Sequence, residues 1–423
     1  MLFRSKLFAH WDTWMYYNEG KYFLYYLIFG DNSTIWDGFG VAVSTDGVYY
    51  TDYGRVIGES PDNRSYLGTG AIWKAADYDE SRRFVCNYSE HRETPEGLRQ
   101  HIFFATSTDL IHWEKLGNEM QFSSDEQYYR GAGGRWDCIY PLEKENGGYY
   151  GYLTASPYAF DGIGICKSED GIHWRALPPG EVNINPHKLV NVEAGAIVRH
   201  KDTYYLMVGS EMEMLICTSK SPFGPFTLMK KNGKLFSRLQ TKNGKTGHIH
   251  AYFARFFMDE QNILANFHVL PREFDEMGRC SYSYMAPLKK VQIDAEGILR
   301  MYWWEGNDSL IGEGTAAPSE AWVSDVPYYC GTELTFVLEG KNTVQFCLES
   351  NGVCRLWDQQ GTEMEVDRGM ALGKTAVLRV LVRDVFLEVY ADGEYVCSYT
   401  AKGGIQSLKQ ENVDVIKRKL FLP

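Results

Sequence analysis

Three acids in this chain stand at matching distances ahead of three aromatic runs. Asp12 lies 10 residues before Tyr22, Asp137 lies 12 before Tyr149, and Glu193 lies 11 before Tyr204. Their neighbourhoods are His10-Trp11-Asp12-Thr13-Trp14-Met15, Arg135-Trp136-Asp137-Cys138 and Asn191-Val192-Glu193-Ala194-Gly195-Ala196. These are mostly apolar, and a buried acid there needs partners. Carboxylates that converge also raise one another's pKa. Glycoside cleavage uses that effect. One carboxylic acid stays protonated and gives its proton to the leaving oxygen. A second carboxylate attacks the anomeric carbon or activates water. A third can hold a sugar hydroxyl and steady the oxocarbenium-like transition state. Asp12, Asp137 and Glu193 are therefore the candidate catalytic residues.

The elements that must position them form a repeat. Its clearest copy is Gly162-Ile163-Gly164-Ile165-Cys166-Lys167-Ser168-Glu169-Asp170-Gly171-Ile172-His173-Trp174. Alternating Ile163 and Ile165 give a strand one buried face, and Asp170-Gly171 supplies a turn that needs positive φ. Ile172 and Trp174 resume the period-two pattern on the expected return strand. Similar copies run through Ser44, Ser107 and Ser219, and the four serines are separated by 63, 61 and 51 residues. An aromatic-rich strand precedes each copy, at Tyr22–Tyr26, Arg83–Tyr88, Tyr149–Leu153 and Tyr204–Val208. A fifth, degenerate unit holds Ile263–Phe267 and Tyr282–Met285. Five units of about four short strands predict an all-β, five-bladed β-propeller. The plainer alternative is a sandwich whose hairpins look alike by chance.

In a propeller the innermost strand of each blade lines a central channel. That strand comes just before the aromatic one, so the three acids would face one pocket. Thr69, in Gly68-Thr69-Gly70-Ala71, holds the matching place in the second unit. Trp11, Trp73 and Trp136 stand close to these positions and offer flat faces for sugar rings. Trp36 is a further candidate platform, although the blade core is the commoner place for such a ring. Arg135 suits a clamp on sugar hydroxyls or a salt bridge at the surface. His248 and His250 alternate with Ile249 and share a face. A His-x-His strand can bind zinc, but no third ligand is evident. A channel-lining hydrogen-bonding role is expected instead, with no metal and no cofactor.

The 423 residues suffice for two or three domains. After a linker rich in Gly and small residues, from Gly306 to Pro318, the pattern changes. Leu334–Leu338, Thr343–Leu348, Ala376–Val382, Val385–Tyr390 and Tyr395–Tyr399 read as antiparallel strands with one apolar face. They predict a β-sandwich. The expected domains are a catalytic propeller over 1–310 and a sandwich over 320–423. Helix signals are sparse, the tail after Gln406 being one short candidate.

A net charge of −12 argues against a nucleic-acid partner and offers no basic patch for a membrane. No stretch approaches the roughly 20 apolar residues of a membrane span. The N-terminus lacks a signal-peptide core. Nine cysteines without CxxC pairs, several mid-strand, suggest reduced thiols and a cytoplasmic setting. The expected partner is an oligosaccharide or small glycoside substrate, with a homodimer possible through the sandwich.

These segments resemble the five-bladed propeller glycosidases, above all glycoside hydrolase family 32, the fructan and sucrose hydrolases. The family's opening Trp-Met-Asn-Asp-Pro-Asn-Gly is similar to His10-Trp11-Asp12-Thr13-Trp14-Met15. Its Ser-Gly-Ser-Ala is similar to Gly68-Thr69-Gly70-Ala71, its Arg-Asp-Pro to Arg135-Trp136-Asp137, and its Glu-Cys-Pro to Glu193-Ala194-Gly195. Leu378–Asp384 and Leu387–Gly393 are similar to strands of the family's sandwich. The order of the acids is kept, while Asp12 lacks the Pro-Asn-Gly, Asp137 its Pro and adjacent Arg, and Glu193 its Cys-Pro. The resemblance implies Asp12 as nucleophile, Glu193 as general acid/base and Asp137 as transition-state stabiliser. It implies hydrolysis of a furanosyl bond, of the β-fructofuranosyl type. The Gly247–His250 segment is closer to family 43, which implies an alternative: an inverting arabinofuranosidase or xylosidase. A sugar-binding propeller without turnover is the third possibility.

Overall fold

The computed structural model describes residues 3–30, 36–184, 192–210, 213–236, 251–270, 283–316, 321–359, 361, 363–411 and 413–420. Strands build five successive four-stranded units and then two packed sheets. Blade one is His10–Asn18, Lys21–Phe29, Trp36–Ser44 and Thr51–Gly58, paired in that order. Blade two runs from Ile72–Lys74 through Phe84–Thr94 and Gly97–Ser107 to Glu114–Lys115. Blade three is Trp136–Glu143, Tyr149–Ala155, Gly162–Ser168 and Trp174–Asn183, and blade four begins with Glu193–His200, Thr203–Ser210 and Glu213–Ser219. Blade five starts with Ala251–Met258 and Ile263–Val269. Its third strand is interrupted: Tyr284–Met285 pairs first with the second strand, then Lys289–Ile293 takes over. Leu299–Trp303 completes it.

The repeated serine explains the shared turn. Ser168 Oγ donates to Asp170 Oδ1 at 3.0 Å and accepts from the Gly171 N–H at 2.8 Å. Asp170 Oδ1 also accepts from the N–H groups of Ile172 and His173. Ser44 with Asp46 and Ser107 with Asp109 make the same network. Such Asx and Ser caps satisfy a turn's own amides. Gly47 and Gly171 take φ of 70° and 81°, while Leu110 holds the matching place at 66°. The capped turn runs longer than a two-residue hairpin. The return strand accordingly starts at Trp174, not at Ile172 as expected.

Ring closure is made by side chains and by a backbone bridge, in which the Met285 N–H of blade five donates to Phe3 O at 2.8 Å ahead of blade one. Asn266 Nδ2 in blade five donates to Thr13 O in blade one at 3.0 Å, and Ser283 Oγ donates to His10 O at 2.7 Å. Within the ring, Asn87 joins blade two to blade three by donating to Ile139 O and accepting from its N–H, each at 3.0 Å.

The sandwich consists of one sheet with Glu394–Thr400, Phe386–Ala391, Thr375–Arg383 and Trp322–Tyr329 in order, facing a second with Val353–Asp358, Thr343–Leu348, Glu333–Leu338 and Ile405–Gln410. Trp322, Phe336, Phe346, Val380 and Tyr399 fill the space between. Two expectations change here. The tail after Gln406 is strand, ending in Arg418–Leu420, because its partners are sheet edges. Part of the expected linker, Ile311–Thr315, pairs with that last strand. The propeller and sandwich are bonded through buried charge. Lys289 Nζ lies 2.8 Å from Glu388 Oε1, both fully buried. Arg368 donates to Leu235 O at 2.8 Å and Lys234 O at 2.9 Å in blade four, and to Val396 O at 2.6 Å in the sandwich. Among the described residues no helix is long and apolar enough to cross a membrane.

Candidate active site

The three acids enter from the first residues of the inner strands of blades one, three and four. Each of these strands, and that of blade five, breaks register with its neighbour near that end. The breaks fall between His10 and Thr13, opposite Tyr152/Thr154, between Ala194 and Ala196, and between Tyr252 and Arg255. A bulge re-aims side chains that strict alternation would send elsewhere. Cys138, directly after Asp137, has φ of 54° and marks the sharpest of these bends.

Two arginines bind the three carboxylates. Arg135 Nη2 lies 3.1 Å from Asp137 Oδ2, and its Nη1 lies 3.0 Å from Glu193 Oε1. Arg255 Nη2 lies 3.1 Å from Asp12 Oδ2. Tyr252 donates to Glu193 Oε2 at 2.5 Å, and Ser89 donates to Asp137 Oδ1 at 2.6 Å. Gln100 holds Ser89 in turn, its Nε2 donating to Ser89 Oγ at 2.9 Å. Gly68 lets this packing form, because a Cβ there would clash with Ser89 Oγ and Asp137 Oδ1.

Three carboxylates and two guanidiniums balance when the cluster carries one proton. Burial pushes the Asp12 carboxyl above its ordinary value, Arg255 opposes this, and Glu193 and Asp137 reinforce it. Burial also pushes the Tyr252 phenol well up, with Glu193 adding to the effect. Tyr252 therefore stays a neutral donor.

His268 is fully buried, and burial followed by the Arg255 charge holds it well below the ordinary histidine value. Its Nδ1 accepts from the Phe253 N–H at 3.2 Å, so the neutral ring carries its proton on Nε2. That nitrogen faces Asp12 Oδ1 at 3.6 Å, beyond a hydrogen bond. Among the described residues Oδ1 accepts no hydrogen bond. That oxygen is itself buried, against His268.

The expected substrate-binding residues divide. Trp11 packs 6.1 Å from Trp36 and 5.4 Å from His268 by ring centroids. Trp36 meets Tyr66 edge-on at 5.5 Å, and Tyr66 meets His91 at 4.6 Å. This aromatic arc reaches the acids through His268 and through Gln100, which lies 3.5 Å from the Tyr66 hydroxyl. Thr69 Oγ1 lies 3.4 Å from Arg255 Nη2, at the base of the cluster. Trp73 and Trp136 are corrections. Trp73 is 4% exposed, packs against Trp174 and bonds Gly171 O. Trp136 is 1% exposed, between Phe122 and Tyr129. Neither has a free face for a sugar, because each is buried against other aromatic rings. His248 and His250 lie outside the described residues. Arg255, Tyr252, His268, Ser89, Gln100 and Tyr66 were not foreseen. Arg255 carried a signal, a cation within Ala251-Tyr252-Phe253-Ala254-Arg255-Phe256-Phe257.

A cavity of about 760 Å3 occupies the other half of the channel, lined by Tyr16, Tyr17, Lys74, Arg199 and Met258. These residues lie late in the inner strands, and the acids lie early. Arg255 and Tyr140 line its inner end, and their mutual bond of 2.6 Å separates it from the carboxylates.

Fold and site define a five-bladed propeller with an appended β-sandwich and a carboxylate cluster at one mouth. No family model and no curated protein matches the chain. Solved structures of the same fold do. A Bombyx mori glycoside hydrolase family 32 β-fructofuranosidase superposes with a TM-score of 0.71 at 14% identity, covering 100% of this chain and 94% of that one. Sucrose-6-phosphate hydrolase from Lactobacillus gasseri gives 0.70 at 13% identity, covering 96% and 89%. Fructan 1-exohydrolase IIa from Cichorium intybus, in complex with 1-kestose, gives 0.69 at 11% identity, covering 100% and 94%.

Proposed function

We propose that this protein is a glycoside hydrolase that cleaves a furanosyl bond, of the β-fructofuranosyl type, in an oligosaccharide or small glycoside. Asp12 is the nucleophile, Glu193 the general acid/base and Asp137 the transition-state stabiliser. The observation that carries this is the gathering of three acids from three blades around two arginines. Like charges assembled in a cleft are costly to the fold and useful to catalysis. The solved structures of the same fold, a β-fructofuranosidase, a sucrose-6-phosphate hydrolase and a fructan exohydrolase, support the substrate class.

The mechanism follows from the contacts. A carboxylate oxygen of Asp12 attacks the anomeric carbon as Glu193 protonates the leaving oxygen, giving a glycosyl-enzyme ester. Glu193 then takes a proton from water, which opens the ester and restores both acids. Asp137 binds a sugar hydroxyl whose hydrogen bond strengthens as the ring gains charge. Arg135 clamps the same sugar from its exposed side. Trp11 and Trp36 shelter the ring. Residues 1–310 form the catalytic unit and 320–423 a bracing sandwich. A cytoplasmic setting belongs to this proposal and is tested by cell fractionation.

The test is a panel of sucrose, inulin, levan, arabinan and nitrophenyl furanosides, assayed with the wild type and Glu193→Gln side by side. Release of fructose by the wild type alone, with the first-formed anomer retained by NMR, supports the assignment. First-formed sugar of inverted configuration removes Asp12 as nucleophile. Binding without turnover across the panel removes hydrolysis.

A further inference from the structure

The geometry points to Arg255 as a positioning residue that keeps Asp12 ionised and fixes the orientation of its carboxylate. This rests on the hydrolase reading above. Arg255 belongs to blade five, yet its guanidinium reaches three other blades. Nη2 meets Asp12 Oδ2 at 3.1 Å, and Nη1 donates to Thr13 O at 2.9 Å, both in blade one. Nε donates to the Tyr140 hydroxyl of blade three at 2.6 Å. Thr69 of blade two lies 3.4 Å away. The side chain is 3% exposed. A guanidinium held at both ends in this way has one orientation, and that orientation fixes which oxygen of Asp12 is occupied.

The electrostatics around Asp12 leave this role to Arg255. From blade five the carboxylate also faces Tyr252 and His268, both neutral for the reasons given. From blades three and four it faces Asp137 and Glu193, which are acids. His10, two residues away, is buried, and burial lowers it to about 4. Arg135 is engaged with Asp137 and Glu193. Of the described groups that touch Asp12, Arg255 alone brings positive charge. Its loss leaves a buried carboxylate beside two others, a condition that favours the protonated acid. A protonated Asp12 cannot attack carbon. The Tyr140 bond also holds the guanidinium between the carboxylates and the cavity behind them, and the side chain is almost fully buried, where charge acts strongly.

A tie between blades would give Arg255 a purely structural purpose, and the experiment separates the two. The protonated-carboxyl stretch in infrared difference spectra is followed against pH for the wild type and Asp12→Asn. Their difference isolates Asp12, and no substrate is involved. The same pair is measured in the Arg255→Gln and Arg255→Lys backgrounds. Arg255→Gln is expected to move the Asp12 midpoint up by one pH unit or more, and Arg255→Lys to recover at least half of that. With sucrose as substrate, Arg255→Gln is expected to lower kcat about a hundredfold with a smaller change in KM. The acid limb of kcat/KM should move up with the infrared midpoint. Should Arg255→Gln not fold, Tyr140→Phe keeps the charge and releases its aim. It is expected to lower kcat about tenfold with little movement of the midpoint. A folded Arg255→Gln whose Asp12 midpoint and acid limb match the wild type overturns the assignment. A shifted midpoint in a protein inactive on the whole panel upholds the hold on Asp12 and overturns the hydrolase reading instead.

Discussion

Arg135 joins blade three to blade four by placing its guanidinium 3.0 Å from Glu193 Oε1 and 3.1 Å from Asp137 Oδ2. The two acids are therefore one electrostatic unit, while Asp12 is held separately by Arg255. The residues proposed as nucleophile and acid/base thus have different cations.

Removing either reacting carboxylate should abolish turnover and keep the fold. Glu193→Gln and Asp12→Asn are each expected to lower kcat by about a thousandfold or more. Circular dichroism and a cooperative thermal transition should stay those of the wild type. Measurable wild-type turnover in either purified variant removes that residue from the mechanism.

Asp12 should also cost the fold stability as it ionises. Its carboxyl is raised in the folded state, chiefly by burial, so the folded protein holds that proton more tightly than the unfolded chain does. The stability linked to this group is present below the unfolded value and is lost as pH rises through the folded one. Asp12→Asn cannot ionise, so its Tm should gain on the wild type between pH 4 and pH 7 in a series of melts. A difference that stays flat over that range contradicts the raised carboxyl.

Gly68 should be needed for Asp137 to reach its place. A methyl group there meets Ser89 Oγ and Asp137 Oδ1. Gly68→Ala is expected to lower kcat/KM ten- to a hundredfold while Tm falls by only a few degrees. Ser89→Ala loses one hydrogen bond to the carboxylate, of about 1.5–3 kcal/mol for a charged acceptor, and should be milder in activity. Steady-state kinetics on the two variants give the ranking.

The ion pair between Lys289 and Glu388 should hold propeller and sandwich together at a high local stake. Both side chains are fully buried, and Tyr390 and Ser398 also bond Glu388. Glu388→Gln leaves a buried ammonium without its counter-ion and should cost about 3–5 kcal/mol. The double change Lys289→Met with Glu388→Leu should recover most of that loss. Urea melts of the three proteins test the order, and a double variant weaker than the single one would falsify it.

Much of the architecture was legible in the chain because it rests on local rules. Period-two alternation and the repeated Ser-x-Asp turn mark the blades, since a strand's faces and a turn's amides are settled by neighbours a few residues away. The same is true of the hairpin at Asp392-Gly393, where both residues take positive φ. The equivalence of Asp12, Asp137 and Glu193 could be counted from the same repeat. What tertiary structure alone decided is which side chains point into the channel. A one-residue bulge reverses the facing of a strand. Trp136 lies in a blade core while Asp137 beside it reaches the site. Nor could spacing assign the cations. Arg255 meets Asp12 across 243 positions of chain, and Tyr252 meets Glu193 across 59. Those pairings exist because the ring closes, and charge acts through space, not along the chain.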